Sequence, residues 1–450
     1  MFKIYDIETA RQTILRRTSL SAMIFPPTLL ERTSQLFGAG VTPQQAVEKI
    51  LATVQAEGDA ALRRWSALLD PSSPTTFRIA REKLEQAYRS LPPDLLSALQ
   101  TAAGRIRRFH EFQSIPSWES TAMGGRLGQR VTPIQRVGVY VPGGTAPLPS
   151  SLLMSVIPAQ VAGVGTIVVC TPPNPHPSIL AVAYLCGIDQ VYQVGGAQAI
   201  GALTYGTESV PKVDKIVGAG NLFVTLAKQQ VYGNVGLDGL AGPTETMVIA
   251  DLSARPTWVA GDLLAQAEHD VLAKAILLTP ERSLAEAVQL EVARQLEELS
   301  RSEIIAQSLA GNSGIVLTPD LETACALASE YAAEHTCLAV TNPQKMAPLI
   351  TNAGGLFLGE QSYEVLGDYV AGPSHVMPTG GTARFASPLN VLDFIKISSI
   401  IALDETTGRD LSKVASIIAR LEGLTAHAAA AEFRTASPLS PEPSPLNVED

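Results

Sequence analysis

From Arg136 onward, short runs rich in β-branched residues alternate with longer runs at helical spacing. This alternation restricts the chain to an α/β architecture with parallel strands. The first series places strands at Val137–Val141, Thr166–Cys170, Val191–Val194 and Lys215–Val217, with helices at Ile179–Cys186 and Asn221–Val231 among them. A second series runs through Thr246–Ala250, a helix reaching Gln266, Ala275–Thr279, a helix from Leu284, Gly314–Leu317, a helix from Leu321, and Gly355–Gly359. Two Rossmann-like α/β units in tandem are predicted, with a ligand expected in the crevice between them.

The flanks read differently. Residues 1–35 form a mixed polar segment, and Pro43 to Arg108 is mostly helical, with Ala46, Ile50 and Val54 on one face. After Pro388 a helical segment runs to residue 434, with Leu411–Leu421 amphipathic. The Pro-, Ser- and acid-rich stretch from Thr435 to Asp450 is expected to be disordered. A chain of 450 residues exceeds what one core holds, and 46% hydrophobic against 17% charged residues supports large cores. The net charge of −10, with Arg105, Arg107 and Arg108 as only a short basic patch, argues against a nucleic-acid partner. The cysteines Cys170, Cys186, Cys325 and Cys337 lack CxxC spacing, which fits reduced thiols in the cytoplasm. The N-terminus has no apolar signal core, and the most apolar stretch, Ser151–Cys170, is cut by Pro158, Gln160 and two glycines, so no membrane contact is expected.

Four of the six histidines fall in short polar clusters: Gln266-Ala-Glu-His269, Ala333-Glu-His335, Asp368 with Gly372-Pro-Ser-His375, and Glu422-Gly-Leu-Thr-Ala-His427. Gln266 and His269 stand three apart on one helix face, as two metal donors or as an ordinary polar face. Asp368 and His375 sit on a Gly/Pro-rich loop, either ligating or bonding the turn. Glu334 and His335 are adjacent, so they point apart; they are two proton carriers or a helix end with a favourable cation. Glycine turns at Gly143-Gly144, Gly195-Gly196 and Gly218-Ala-Gly220 each follow a strand. None completes GxGxxG, yet together they suggest a rim where backbone approaches a ligand.

In joint order and spacing these pieces resemble the histidinol dehydrogenase family over roughly Arg136 to Arg434. The motifs are Val139-Tyr-Val-Pro-Gly-Gly-Thr-Ala-Pro-Leu-Pro-Ser150, Gln193-Val-Gly-Gly-Ala-Gln-Ala-Ile200, Gly206-Thr-Glu-Ser-Val-Pro-Lys-Val-Asp-Lys215, Ala241-Gly-Pro-Thr-Glu245 and the four clusters. The resemblance implies an aldehyde-dehydrogenase-like pair of α/β domains, one from residues 36–136 and 245–388 and the other from 137–244, with 389–434 as a dimerisation segment. It implies oxidation of L-histidinol to L-histidine through L-histidinal, with two NAD+ and one Zn2+ per subunit. Zinc ligands fall on Gln266, His269, Asp368 and His427, and the acid/base pair on Glu334 and His335. Substrate contacts fall on Thr244, His375 and Glu422, besides Gln266, His269, His335, Asp368 and His427. Tyr140, Gln198 and Asn221 fall at the nucleotide. The implied homodimer crosses over its C-terminal segments, so Glu422 and His427 complete the partner's site.

Four positions in three motifs depart from the family pattern: Thr244 for serine, Ala333 and Thr336 in the usual Pro-Glu-His-Leu, and Ala219 for proline in Gly-Pro-Gly-Asn. They leave every ligand and proton carrier in place. They also keep a second expectation open, a related zinc/NAD alcohol dehydrogenase acting on another small polar alcohol such as a sulfonated diol.

Overall fold

Strand pairing in the computed structural model follows the predicted alternation, and the structure describes residues 2–17, 25, 27–70, 72, 74–143 and 147–436. Contacts divide the chain into two units. One joins the chain up to Ser114 with Pro133–Phe394; the other joins Ile115–Thr132 with the chain from Ile395.

The first unit holds two all-parallel sheets. A five-stranded sheet runs in the order Gln190–Gln193, Thr166–Thr171, Arg136–Tyr140, Lys215–Val217, Gly236–Leu237. A six-stranded sheet runs in the order Ile4–Tyr5, Gly314–Leu317, Lys274–Thr279, Glu245–Ala250, His335–Ala339, Gly355–Leu358. Successive side chains of a strand face opposite ways, so a strand covered by helices on both faces must be apolar throughout. Val137, Val139 and Val141 accordingly enter one core while neighbouring Tyr140 enters another. Met247 and Ile249 likewise face one core, and Val248 and Ala250 the other. Two short strands escaped the sequence reading. Ile4–Tyr5 pairs at the sheet edge with Ile315 and Val316, inside what reads as a polar lead-in. Gly236–Leu237 pairs with Lys215 and Ile216. Two-residue strands carry no periodicity, so neither left a pattern.

The connections set which strands lie side by side. In the six-stranded sheet the chain moves outward from Glu245–Ala250 in one direction, then returns to place His335–Ala339 on its other side. These two central strands are therefore neighbours, and their starts, at Glu245 and His335, lie side by side.

In the five-stranded unit the glycine turn after Lys215–Val217 has a strict cause. Gly218 has φ +106°, and a Cβ there would lie 2.2 Å from the Tyr140 carbonyl oxygen. The turn is tied from below by Lys228, whose buried Nζ donates to Gly218 O at 2.9 Å and pairs with Asp238, while Asp238 Oδ2 accepts from Gly218 N–H at 2.7 Å. Removing one member of a buried pair strands the other. Lys228→Met should cost about 3–5 kcal/mol of unfolding free energy, read from urea or thermal unfolding, and Lys228→Met with Asp238→Asn should cost less than the single change.

The second unit contains a three-stranded sheet in the order Ile395–Ala402, Arg126–Pro133, Trp118–Ser120, then helices Glu405–Leu421 and Thr425–Ala436. The segment after Pro388, read as helical, thus includes a strand, Ile395–Ala402: Ile395, Ile397, Ile400 and Ile401 are β-branched, and this preference prevails although Ile397, Ile400 and Ile401 also fit helical spacing. On the Glu405–Leu421 helix, Leu411, Val414, Ile417, Ile418 and Leu421 are all exposed, Leu421 to 87%. The expected disordered tail lies outside the described residues from position 437. Thr435 and Ala436 close the last helix. Among the described residues, no helix is long and apolar enough to cross a membrane.

Candidate active site

Glu334 and His335 stand at the start of the central strand His335–Ala339, and the backbone around them is closely fixed. The preceding helix, Leu321–Tyr331, ends at Ala332 in the left-handed region (φ 55°), which turns the chain into the sheet. Glu334 O accepts from Gly355 N–H at 2.8 Å. A Cβ on Gly354 would come within 2.4 Å of that same oxygen, so the close approach requires glycine. The Glu334 carboxylate accepts from the Thr244 hydroxyl at 2.5 Å and from Glu245 N–H at 3.2 Å. His335 Nδ1 lies 3.4 Å from Glu245 O and 3.8 Å from Glu334 Oε2, while Nε2 is 3.6 Å from Asp368 Oδ1, beyond hydrogen-bond reach.

Gln266 is fully buried near the end of helix Pro256–Ala267. Its amide lies between Thr244 and Glu364, and in the orientation that turns the nitrogen toward the carboxylate Nε2 donates to Glu364 Oε1 at 2.7 Å. Glu364 and Asp368 are one turn apart on helix Glu364–Tyr369. His375 hangs from the following loop, with Nδ1 2.7 Å from Asp368 O and Nε2 3.1 Å from Ser151 Oγ. The cluster therefore lies at the amino edge of the two central strands.

Burial and charge set the protonation of this cluster. Burial pushes Glu334 up to about 7, against the pull of His335 and of the Thr244 hydrogen bond. Burial likewise raises Glu364 to about 8. For His335 burial acts downward, but Glu364, Glu334 and Asp368 overcome it and hold the ring up at about 10. Burial raises Asp368, yet the imidazoles of His335, His375 and His269 around it bring its carboxyl below the usual range. Burial lowers His375.

Whether these residues suit a metal is a question of donor type and presentation. Among the described residues, no three His, Cys, Asp or Glu side chains converge as a ready metal cluster. A metal here needs the Gln266 amide oxygen and a donor from elsewhere. What is present fits. His269 Nδ1 lies 3.1 Å from Ala265 O, which places the ring proton there and leaves Nε2 free, as metal-binding imidazoles require. Asp368 is anionic. Neutral N and anionic O donors suit zinc.

A cavity of about 410 Å3 opens beyond the strand ends of the five-stranded sheet and is lined by Tyr140, Gly143, Gln198, Asn221, Phe37 and Phe223, among others. Tyr140 OH accepts from Gly196 N–H at 3.1 Å, and Asn221 caps the helix Leu222–Val231 through Phe223 and Val224 N–H. Gln198 Oε1 is buried and has no partner among the described residues. The turn residue Gly144 lies outside the described residues.

A family model for histidinol dehydrogenase matches residues 39–435. The chain belongs to the histidinol dehydrogenase family. It is 51% identical over 395 residues to histidinol dehydrogenase from Thermus thermophilus, a match covering 87% of this chain and 95% of that protein. Against the protein of the same name from Aquifex aeolicus the identity is 49% over 393 residues, covering 87% and 92%. The crystal structure of histidinol dehydrogenase from Elizabethkingia anophelis superposes with a TM-score of 0.88 at 34% identity, covering 96% of this chain and 98% of that one. Membership makes the chain an oxidoreductase of histidine biosynthesis.

Within this family member, the structure brings together Thr244, Gln266, His269, Glu334, His335, Asp368 and His375 in one cluster, and Tyr140, Gln198 and Asn221 around one cavity. Glu422 and His427 belong to the second unit, where both are exposed. Of the departures, the Thr244 hydroxyl engages Glu334, whereas Thr336 is buried within a continuous strand with its hydroxyl lacking a partner among the described residues. Sequence reading missed Glu364, Glu245 and Ser151. Glu364 had one available signal, a carboxylate four residues before Asp368 on a short helix.

Proposed function

We propose that this chain is a zinc- and NAD-dependent histidinol dehydrogenase that carries L-histidinol to L-histidine through L-histidinal. The observation that carries the reading is the adjacent Glu334–His335 pair, with Glu334 held near neutral pH and His335 Nε2 facing Asp368. A carboxyl poised near the working pH is suited to general-base chemistry. Gln266, His269 and Asp368 would hold the zinc ion, with His427 from a partner subunit. Bound, the ion supplies fixed geometry for the substrate's amine and imidazole, and NAD+ supplies the hydride acceptor for each oxidation. Tyr140, Gln198 and Asn221 would line the nucleotide position. His335, which the surrounding carboxylates hold protonated in the metal-free cluster, would become a neutral ring once a zinc ion offset the Asp368 charge, and in that form accepts the alcohol proton in the first oxidation. Glu334 takes the proton of the water that adds to the aldehyde before the second. Thr244 keeps the Glu334 carboxylate aimed, and His375, tied to Asp368 O and Ser151, faces the substrate with Glu422 from the partner. The exposed apolar stripe from Leu411 to Leu421 supports a homodimer, since a row of large aliphatic side chains favours a covered state. The four free thiols support a cytoplasmic setting.

Purified enzyme given L-histidinol and NAD+ should form two NADH per histidinol consumed, and a zinc chelator should abolish the reaction. One NADH per substrate, or turnover of a sulfonated diol in preference to histidinol, would overturn the reading.

A further inference from the structure

Arg17 comes from the N-terminal segment, far in sequence from the proton carriers, yet it grips both pieces of backbone that hold them. Its Nη1 donates to the Glu245 carboxylate, with the two side chains only 19% and 5% exposed. Nε and Nη2 donate to Tyr331 O at 3.1 and 2.6 Å, and Nη2 also reaches Ala332 O at 3.3 Å. The guanidinium lies over the Tyr331 ring, 3.5 Å from its centroid. Each partner leads directly to the pair. Glu245 N–H donates to Glu334, and Glu245 O faces His335 Nδ1. Tyr331 and Ala332 form the left-handed turn from which Glu334 and His335 are hung.

We propose that Arg17 is a positioning residue for the Glu334–His335 pair, locking the start of strand Glu245–Ala250 to the turn that leads into His335–Ala339. This rests on the function proposed above. The planar, forked guanidinium suits the task because it serves a carboxylate and two carbonyls from three separate nitrogens while its face lies on the Tyr331 ring, whereas the three hydrogens of an ammonium radiate from one atom and offer no face. The neighbouring cavity contains Arg11, Arg16 and Arg384 as well, but its geometry is that of a clasp. Arg384 Nη1 donates to Glu330 O at 3.2 Å and Arg11 pairs with Glu330, so these cations gather at the carbonyl end of helix Leu321–Tyr331. Gly381 completes it, because a side chain there would meet Arg384 Nη2 at 2.9 Å and Arg17 Nε at 3.3 Å.

The test is steady-state kinetics on Arg17→Ala and Arg17→Lys, with bound zinc and thermal unfolding measured on the same samples. Misaimed catalytic groups cost about 100-fold for a displacement near 1 Å. Arg17→Ala is therefore expected to lose about that factor in kcat with KM for histidinol and bound zinc unchanged, and low millimolar guanidinium should restore part of it. Arg17→Lys, which keeps charge but not the fork, should remain impaired and covers the case in which the alanine variant is poorly folded. The proposal is overturned if folded variants keep wild-type kcat, if only KM rises, or if the loss simply tracks the unfolded fraction. Wild-type turnover of histidinol in that assay decides the functional reading separately, and the variant-to-wild-type ratio decides this one.

Discussion

Glu334→Gln is expected to reduce histidinal oxidation by about 10²–10⁴-fold, the usual weight of a positioned general base, while sparing histidinol oxidation far more. Glutamine is the informative replacement because its amide oxygen still accepts from the Thr244 hydroxyl and Glu245 N–H, so the local frame survives. The pH dependence follows from sign. Burial raises Glu334 to about 7; below that pH the carboxyl is protonated and cannot act as a base, and above it the base is present. The aldehyde half-reaction of the wild type should rise with pH through about 7, and the Gln variant should lose that rise. Single-turnover measurements started from histidinol and from histidinal separate the two steps. Equal losses in both would refute the division of labour between Glu334 and His335.

Asp368→Asn should have a comparably large effect for a different reason. The substitution preserves shape and leaves the backbone carbonyl that holds His375 in place, but removes the anionic oxygen opposite His335. Outer-sphere changes alone weaken zinc binding about 10–100-fold, so loss of a ligand's charge should reach at least ~100-fold. The measurement is zinc per chain after dialysis against a weak chelator, with activity followed as zinc is restored. Full zinc retention together with full turnover would remove Asp368 from the ligand set.

The sheets were largely legible because parallel strands buried on both faces run as nearly continuous apolar stretches, as at Met247–Ala250 and Ile167–Cys170. The helix faces were legible for the same reason. Within the cluster, the histidines and their near neighbours stood out as polar interruptions of apolar sequence. What stayed hidden depends on contacts between distant segments. Glu245 reads as the first residue of a strand, and its importance comes from a backbone N–H and C=O that no side-chain pattern reports. Arg17 reads as one charge in a polar lead-in; its partners lie at positions 245, 331 and 332. Glu364 sits in Tyr363-Glu-Val-Leu-Gly-Asp368, where its burial follows from packing beside Gln266 and not from composition. Lys228 and Asp238 likewise look like surface charges until the turn at Gly218 encloses them.

The edge pairing of Ile4 with Ile315 has a bearing on biogenesis. More than three hundred residues separate the two, so during translation at ~5–20 residues per second the leading strand waits roughly 15–60 s for its neighbour to leave the ribosome. The arginine clasp rides on the same leader and faces the same delay. A nascent polypeptide of this enzyme thus acquires competence only near completion, and truncated products, however well their early helices assemble, should be inert.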